Sequence, residues 1–210
     1  SKQPKTLAFG TGRSLKACIE ELPNMDCEQH KLVSIVGNMM QDGSASKFDI
    51  VVSMANRVNA KHFPLPLPLF AQTQAQKHLL HDLAPVKNIF QLAANADATF
   101  VGIGHMTKNS PLLMDGFIEP EQLQSFQDTG VAGEVVSWLY DENGKLISNE
   151  LTQCLLSAPL QINTDKPVFG IAAGPEKVTA LLSALKGKLI NSLITNEYTA
   201  EQILNVFHKN

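Results

Sequence analysis

Lys177 stands where a cation needs an explanation. The segment Gly170 to Ala180, GIAAGPEKVTA, reads as a buried strand running into Gly174 and Pro175, then a helix with Lys177 in its first turn. A helix start presents unpaired backbone N–H groups and partial positive charge, so a lysine is unfavourable there unless something negative shares the site. A bound anion is the simplest such partner, although a lysine extended into solvent also satisfies the pattern. The arrangement repeats near the N-terminus, where TLAF is followed by GTGRS and then KACIEEL, with Arg13 in the turn. Gly10, Thr11, Gly12, Arg13 and Ser14 offer backbone N–H groups, two hydroxyls and a guanidinium able to fork onto a phosphate. By motif alone, a plain glycine turn serves equally well. Two cationic helix starts, each after a strand, point to a phosphate-bearing ligand.

Further candidates follow other apolar runs. Gly37 and Asn38 come after Leu32 to Val36 and allow close backbone approach. VGIGHMTK places Gly102, Gly104, His105 and Lys108 at a strand end. The glycines join the candidate site, whereas His105 and Lys108, taken singly, read as parts of a solvated loop. Glu134, in GVAGEVV, has three readings: acceptor for sugar hydroxyls, partner of Lys177, or exposed hairpin glutamate. Other chemistries fail specific tests. GTGRSL lacks the third glycine of a dinucleotide fingerprint, and VSIVGN supplies no acid for a ribose. There is no phosphate-binding GxxxxGK[ST] loop and no GxSxG nucleophile elbow. His78 and His81 read as surface histidines, with no Cys, His or carboxylate cluster to complete a metal site, and no cofactor is called for.

The elements that must position these residues alternate. Strand-like runs at Thr6 to Phe9, Leu32 to Val36, Ala98 to Ile103, Val168 to Ala173 and Ile190 to Thr195 are separated by helical patterns. Those helices fall at Ser14 to Glu21, Phe48 to Arg57, Gln72 to His81, Pro85 to Ala94, Glu119 to Phe126, Pro175 to Leu185 and Tyr198 to Phe207. The last is capped by Thr195 or Asn196, with Ala200, Ile203, Leu204 and Phe207 on one face. Continuous apolar strands with intervening helices predict an open, mostly parallel α/β sheet with helices on both faces. Two stretches depart from the alternation. KHFPLPLPLF carries prolines at alternate positions and reads as an edge strand or connector, while GEVVSWLYDENGKLIS reads as a small β-hairpin insertion turning at DENG.

Composition narrows the partners. With 210 residues, 44% of them hydrophobic, the chain can bury one full core, so a single α/β domain spanning 1–210 is expected. A net charge of -3 argues against a broad basic surface for nucleic acid, so any DNA contact is expected outside this domain. Three cysteines without a CxxC pair read as packing thiols in a reducing compartment. No apolar run approaches the ~20 residues of a membrane span, which leads to the expectation of a cytoplasmic protein. The opening SKQPKTLAF, without an initiator Met, reads as a piece of a longer protein.

The GTGRS loop, PLPLP, VGIG, GVAGEVVSWLYDENGKLI and VFGIAAGPEKVTALLSALKGKLINSLITNEYTAEQIL together resemble the effector-binding domain of SorC-type bacterial transcriptional regulators, over essentially the whole chain. The resemblance implies a Rossmann-like fold related to ribose-5-phosphate isomerase and glucosamine-6-phosphate deaminase, kept as a sensor without catalysis. It also implies an N-terminal helix-turn-helix domain that reads DNA, a phosphorylated sugar as effector, and assembly as a homodimer or homotetramer. Thr11, Gly12, Arg13 and Ser14 fall on the family's phosphate loop, Glu134 on its GxxG[DE] acid and Lys177 on its AGxxK lysine. Asn38 stands where the family often has a second glycine, and Arg13 where it often has a smaller residue. An isomerase or deaminase acting at the same edge is the alternative, with Glu134 its one evident acid. An oligomerisation domain without a ligand is a third possibility.

Overall fold

The computed structural model describes residues 3–40, 43–44 and 50–207. Its strands are β1 (Thr6–Phe9), β2 (Lys31–Met39), β3 (Lys61–Pro68), β4 (Ala98–Gly102), β5 (Gly104–His105), β6 (Val131–Val135), β7 (Trp138–Asp141), β8 (Val168–Ile171) and β9 (Ser192–Ile194). Between them lie α1 (Arg13–Glu20), α2 (Ile50–Val58), α3 (Gln74–His81), α4 (Ala84–Ala94), α5 (Pro111–Met114), α6 (Pro120–Asp128), α7 (Glu150–Gln153), α8 (Val178–Lys186) and α9 (Glu197–Phe207). Residues 48 and 49, the predicted start of the second helix, lie outside the described residues.

Among the described residues, six strands form one sheet in the order β3-β2-β1-β4-β8-β9, and every pairing in it is parallel. A parallel sheet needs cover on both faces, and the helices supply it through periodic apolar positions. On one face α1 and α2 bury Leu15, Ile19, Ile50, Val51 and Ala55 against Phe9 and Leu32. On the other, α4 contributes Val86, Ile89 and Ala93, and α8 contributes Ala180, Leu181 and Ala184. Fully burying one side chain such as Leu181 contributes roughly 1.5–3 kcal/mol.

The proline-rich stretch is the edge strand β3. Alternate N–H groups of a strand point to opposite sides, so Pro64, Pro66 and Pro68 all lack a donor on the same side, while Leu65 and Leu67 are buried. The insertion is a second, antiparallel sheet in the order β5-β6-β7. Its hairpin turn differs from expectation: β6 and β7 reverse at Val136 and Ser137, where Val135 pairs with Trp138. DENG makes the next reversal, which carries a single bridge between Tyr140 and Leu146. Val136 and Ser137 have φ of 52° and 66°, the left-handed conformation that two-residue hairpins need and that a β-branched valine strongly resists. Turn propensity favours Asn-Gly pairs there, so the sequence points to DENG instead.

Smaller departures have simple causes. Leu204 is mostly exposed while Ile203 is buried, so the inward face of α9 excludes Leu204; Asn196 caps that helix by accepting from Thr199 N–H at 3.0 Å. Cys18 is exposed rather than packed, and the three cysteines are free thiols. His78 is exposed as expected, but His81 packs edge-on against Phe90 at 5.0 Å between ring centres. No helix among the described residues is long and apolar enough to cross a membrane.

Strand order reverses between β1 and β4, because β1 leads by way of α1 to β2 on one side while β4 lies on the other. A crevice opens at the carboxyl ends of strands where such a reversal occurs. The loops after β1 and β4 flank it.

Candidate functional site

Two backbone hydrogen bonds fasten the loop after β1 to the end of β4. Gly10 N–H donates to Phe100 O at 2.8 Å, and Gly102 N–H donates to Thr11 O at 3.1 Å. A β-carbon on Gly102 would lie 2.5 Å from that same Thr11 oxygen and 3.1 Å from Gly12 Cα, so only glycine lets the two segments meet. Gly12 itself has φ 148°, ψ 147°, a region glycine enters without steric cost. The helix α1 then starts at Arg13 with no side-chain cap and no acid in its first turn. Its first turn brings backbone N–H groups and partial positive charge to the edge of the crevice.

That crevice is a cleft of about 380 Å³ lined by Thr11, Gly12, Arg13, Ser14, Gly102, Ile103, Gly104, His105, Asn109, Pro111, Met114, Asp115, Glu134, Ile171, Glu176 and Lys177. Eight of the residues singled out in the sequence therefore meet at one place. Gly10 does not line it; it supports the loop from behind, against Val101 and Val136. Gly37 and Asn38 belong to β2 rather than following it, and they line a smaller chamber of about 60 Å³ that shares Thr11, Pro111, Asp115 and Glu134 with the cleft. Gly37 answers first to packing, since a β-carbon there would collide with the Leu67 carbonyl of β3.

The opposite wall carries buried charge. Lys177 closes a 3₁₀ turn, Pro175–Lys177, and caps α8 rather than sitting inside its first turn. Its side chain turns inward instead of extending into solvent, and Nζ donates to Ile103 O, just past the end of the neighbouring β4, at 2.7 Å. Burial pulls the Lys177 pKa down, opposed by the nearby Glu134 and Glu176 carboxylates and reinforced by Arg13. Glu134 is 9% exposed, which removes the exposed-hairpin reading. Its Oε2 accepts from Ser137 N–H at 2.7 Å, so the carboxylate braces the strained turn that follows it. A β-carbon on Gly104 would run into the Glu134 carboxylate, so that glycine makes room for the acid. Burial raises the Glu134 pKa, while the Ser137 N–H and Lys177 favour its ionised form and Asp115 opposes it. Glu134 and Lys177 feel each other's charge without being among the direct ion pairs of the described residues.

His105 corrects the solvated-loop reading, being 6% exposed on β5 opposite Gly133. Thr107 lies against its Nδ1, the backbone N–H at 3.3 Å and the hydroxyl at 2.8 Å, and Nε2 stands 3.4 Å from Glu176 Oε2. Burial lowers its pKa, with Lys177 acting the same way and Glu176 against. Lys108 is exposed and lines neither cavity. Arg13 is tied across the cleft mouth by Nη2 to Asp115 Oδ1 at 2.7 Å. Sequence reading missed Asp115, Glu176 and Asn109. Asp115 lies 102 residues from Arg13, and nothing in LLMDGF signals that separation being closed. Among the described residues no group of three or more His, Cys, Asp or Glu side chains could hold a metal ion.

The Sugar-bind family profile, described as "Putative sugar-binding domain", matches residues 2–205. The chain belongs to this family. Among curated relatives, the erythritol catabolism regulatory protein EryD of Brucella abortus (strain 2308) is 25% identical over 200 residues, covering 95% of this chain and 63% of the relative. The transcriptional regulator LsrR of Enterobacter sp. (strain 638) is 28% identical over 204 residues, covering 94% and 61%. The crystal structure of the full-length sorbitol operon regulator SorC from Klebsiella pneumoniae superposes with a TM-score of 0.85 at 26% identity, covering 96% of this chain and 67% of that one. These Sugar-bind relatives are named as regulators, not enzymes. The chain spans 61–63% of the length of the two curated relatives.

Proposed function

We propose that this chain is the effector-binding domain of a SorC-type transcriptional regulator, that its cleft takes a phosphorylated sugar, and that occupancy alters DNA binding by a separate helix-turn-helix domain. The observation that carries the proposal is that two kinds of donor line one cleft: the start of α1 after Gly12, which has no side-chain cap, and the half-buried ammonium of Lys177. A phosphate placed between them receives backbone N–H groups and a desolvated cation together. The acids Glu134 and Asp115 accept from hydroxyls, which is what a sugar offers beyond its phosphate. Membership of the Sugar-bind family and likeness to operon regulators support a sensor over an isomerase or deaminase. A homo-oligomer working in the cytoplasm, as a homodimer or homotetramer, is part of the same proposal and rests on likeness to SorC-type regulators.

Thermal unfolding against sugar phosphates and their unphosphorylated parents tests it. A ligand at about a hundredfold excess over Kd adds about 2.7 kcal/mol to the folded state, or roughly 5–10 °C for a chain of this size. We expect that shift for a phosphosugar, its absence for the free sugar, and its loss in Lys177→Ala. A free sugar that shifts the transition as far as its phosphate would defeat the phosphate assignment.

A further inference from the structure

Charge balance narrows the ligand further. Three carboxyl groups line the cleft, Asp115, Glu134 and Glu176, against two cations, Arg13 and Lys177. Both cations already have partners: Asp115 holds Arg13 at 2.7 Å, and the Ile103 carbonyl holds Lys177. A phosphate monoester carries about −1.5 to −2 charges at neutral pH, which Lys177 and the α1 N-terminus can meet at one end. Towards the smaller chamber, the cation nearest among the described residues is Arg13, already held in its pair with Asp115. Asp115 and Glu134 are shared between the cleft and the smaller chamber, whose other polar lining includes Ser34, Asn38 and Ser137, with no cation among the described residues. Hydroxyls donate to such carboxylates, whereas a second phosphate brought beside them meets like charge in a partly desolvated space.

Resting on the phosphosugar assignment above, we infer that the cleft selects a ligand with one anionic group and a neutral, hydroxyl-bearing far end. Asp115 is the specificity-determining residue that works against a second phosphate, by keeping Arg13 paired and withheld from it. Rejection by an unfavourable contact is a common route to selectivity between ligands that share every other feature.

Calorimetric titration of this chain with matched pairs is the test: fructose 6-phosphate and fructose 1,6-bisphosphate, tagatose 6-phosphate and its 1,6-bisphosphate, ribulose 5-phosphate and its 1,5-bisphosphate, beside the free sugars. At least one monophosphate should bind, with its bisphosphate weaker by about tenfold or more. Asp115→Asn should close that gap to about threefold or less, mainly by strengthening the bisphosphate. A bisphosphate that matches or beats its monophosphate in the unsubstituted chain overturns the selectivity while leaving the phosphosugar assignment standing. An unchanged gap in Asp115→Asn overturns the role of Asp115. Failure of every monophosphate, or equal binding of free sugars, removes the phosphosugar assignment and this inference with it. The comparison in the unsubstituted chain decides the selectivity even if the variant folds poorly.

Discussion

The two walls of the cleft are built on opposite terms. The loop after β1 offers backbone donors, held by two ordinary hydrogen bonds to β4 and packed behind by Gly10 and Gly102. The wall formed by the small sheet and the turn before α8 offers side chains, and each comes at a cost: a buried glutamate, a desolvated lysine, a buried neutral histidine and a valine at positive φ. The first wall adds little strain and depends on steric room. The second stores unfavourable burial that the proposed phosphosugar would relieve, so it is the wall expected to respond to occupancy.

One substitution made on both walls should break the comparison most sharply. Gly102→Ala sets a β-carbon against the Thr11 carbonyl, a backbone atom already committed to a hydrogen bond. We expect a stability loss of about 2 kcal/mol, or about 4–8 °C, together with loss of ligand binding. Gly104→Ala meets the flexible carboxylate of Glu134, which can swing aside. Binding should fall as far, with a melting temperature within about 3 °C of the unsubstituted chain. Equal destabilisation by the two, measured by denaturant melts, would mean that both walls are sterically rigid.

That contrast also marks what a sequence can reveal. The backbone wall was legible in GTGRS and VGIG because strand, glycine and helix start are local patterns, and the parallel alternation fixed which strand ends share an edge. The strand order that sets β4 beside β1 was not legible, because the same alternation fits more than one order. The charged wall was only half legible. Lys177 and Glu134 were picked out, but the direction of Lys177, the burial of His105 and the Arg13–Asp115 pair depend on the small sheet folding over the crevice. No local pattern encodes that fold-over, and the turn that completes it uses Val-Ser where propensity asks for Asn-Gly.

Glu134 should separate stability from binding. Its pKa is raised, so its folded form holds a proton more tightly than the unfolded chain, and its contribution to stability is lost as pH rises from about 4.5 through the folded value. At pH 7 the buried carboxylate therefore costs stability. Glu134→Gln keeps an oxygen for Ser137 N–H and removes the charge. We expect a gain on the order of 1 kcal/mol, about 2–4 °C, with weaker sugar binding. A lower melting temperature in the variant would show that the charge, through Lys177, holds this wall together.

The smallest effect belongs to His105, and its sign is opposite. Its folded pKa lies below 6.5, so the unfolded chain binds the proton more readily; stability from this group is present above about pH 6.5 and falls as the pH drops towards the folded value. His105→Gln has no such proton to take up. Melting curves of the two proteins between about pH 7.5 and pH 5.5 should therefore differ in slope, with the unsubstituted chain losing more on acidification. Glu134 works in the other direction, but it is present in both proteins and drops out of the difference. Parallel slopes would mean that Glu176, 3.4 Å from Nε2, stabilises the imidazolium enough to offset its burial. The charged wall would then tolerate a proton that the fold otherwise excludes.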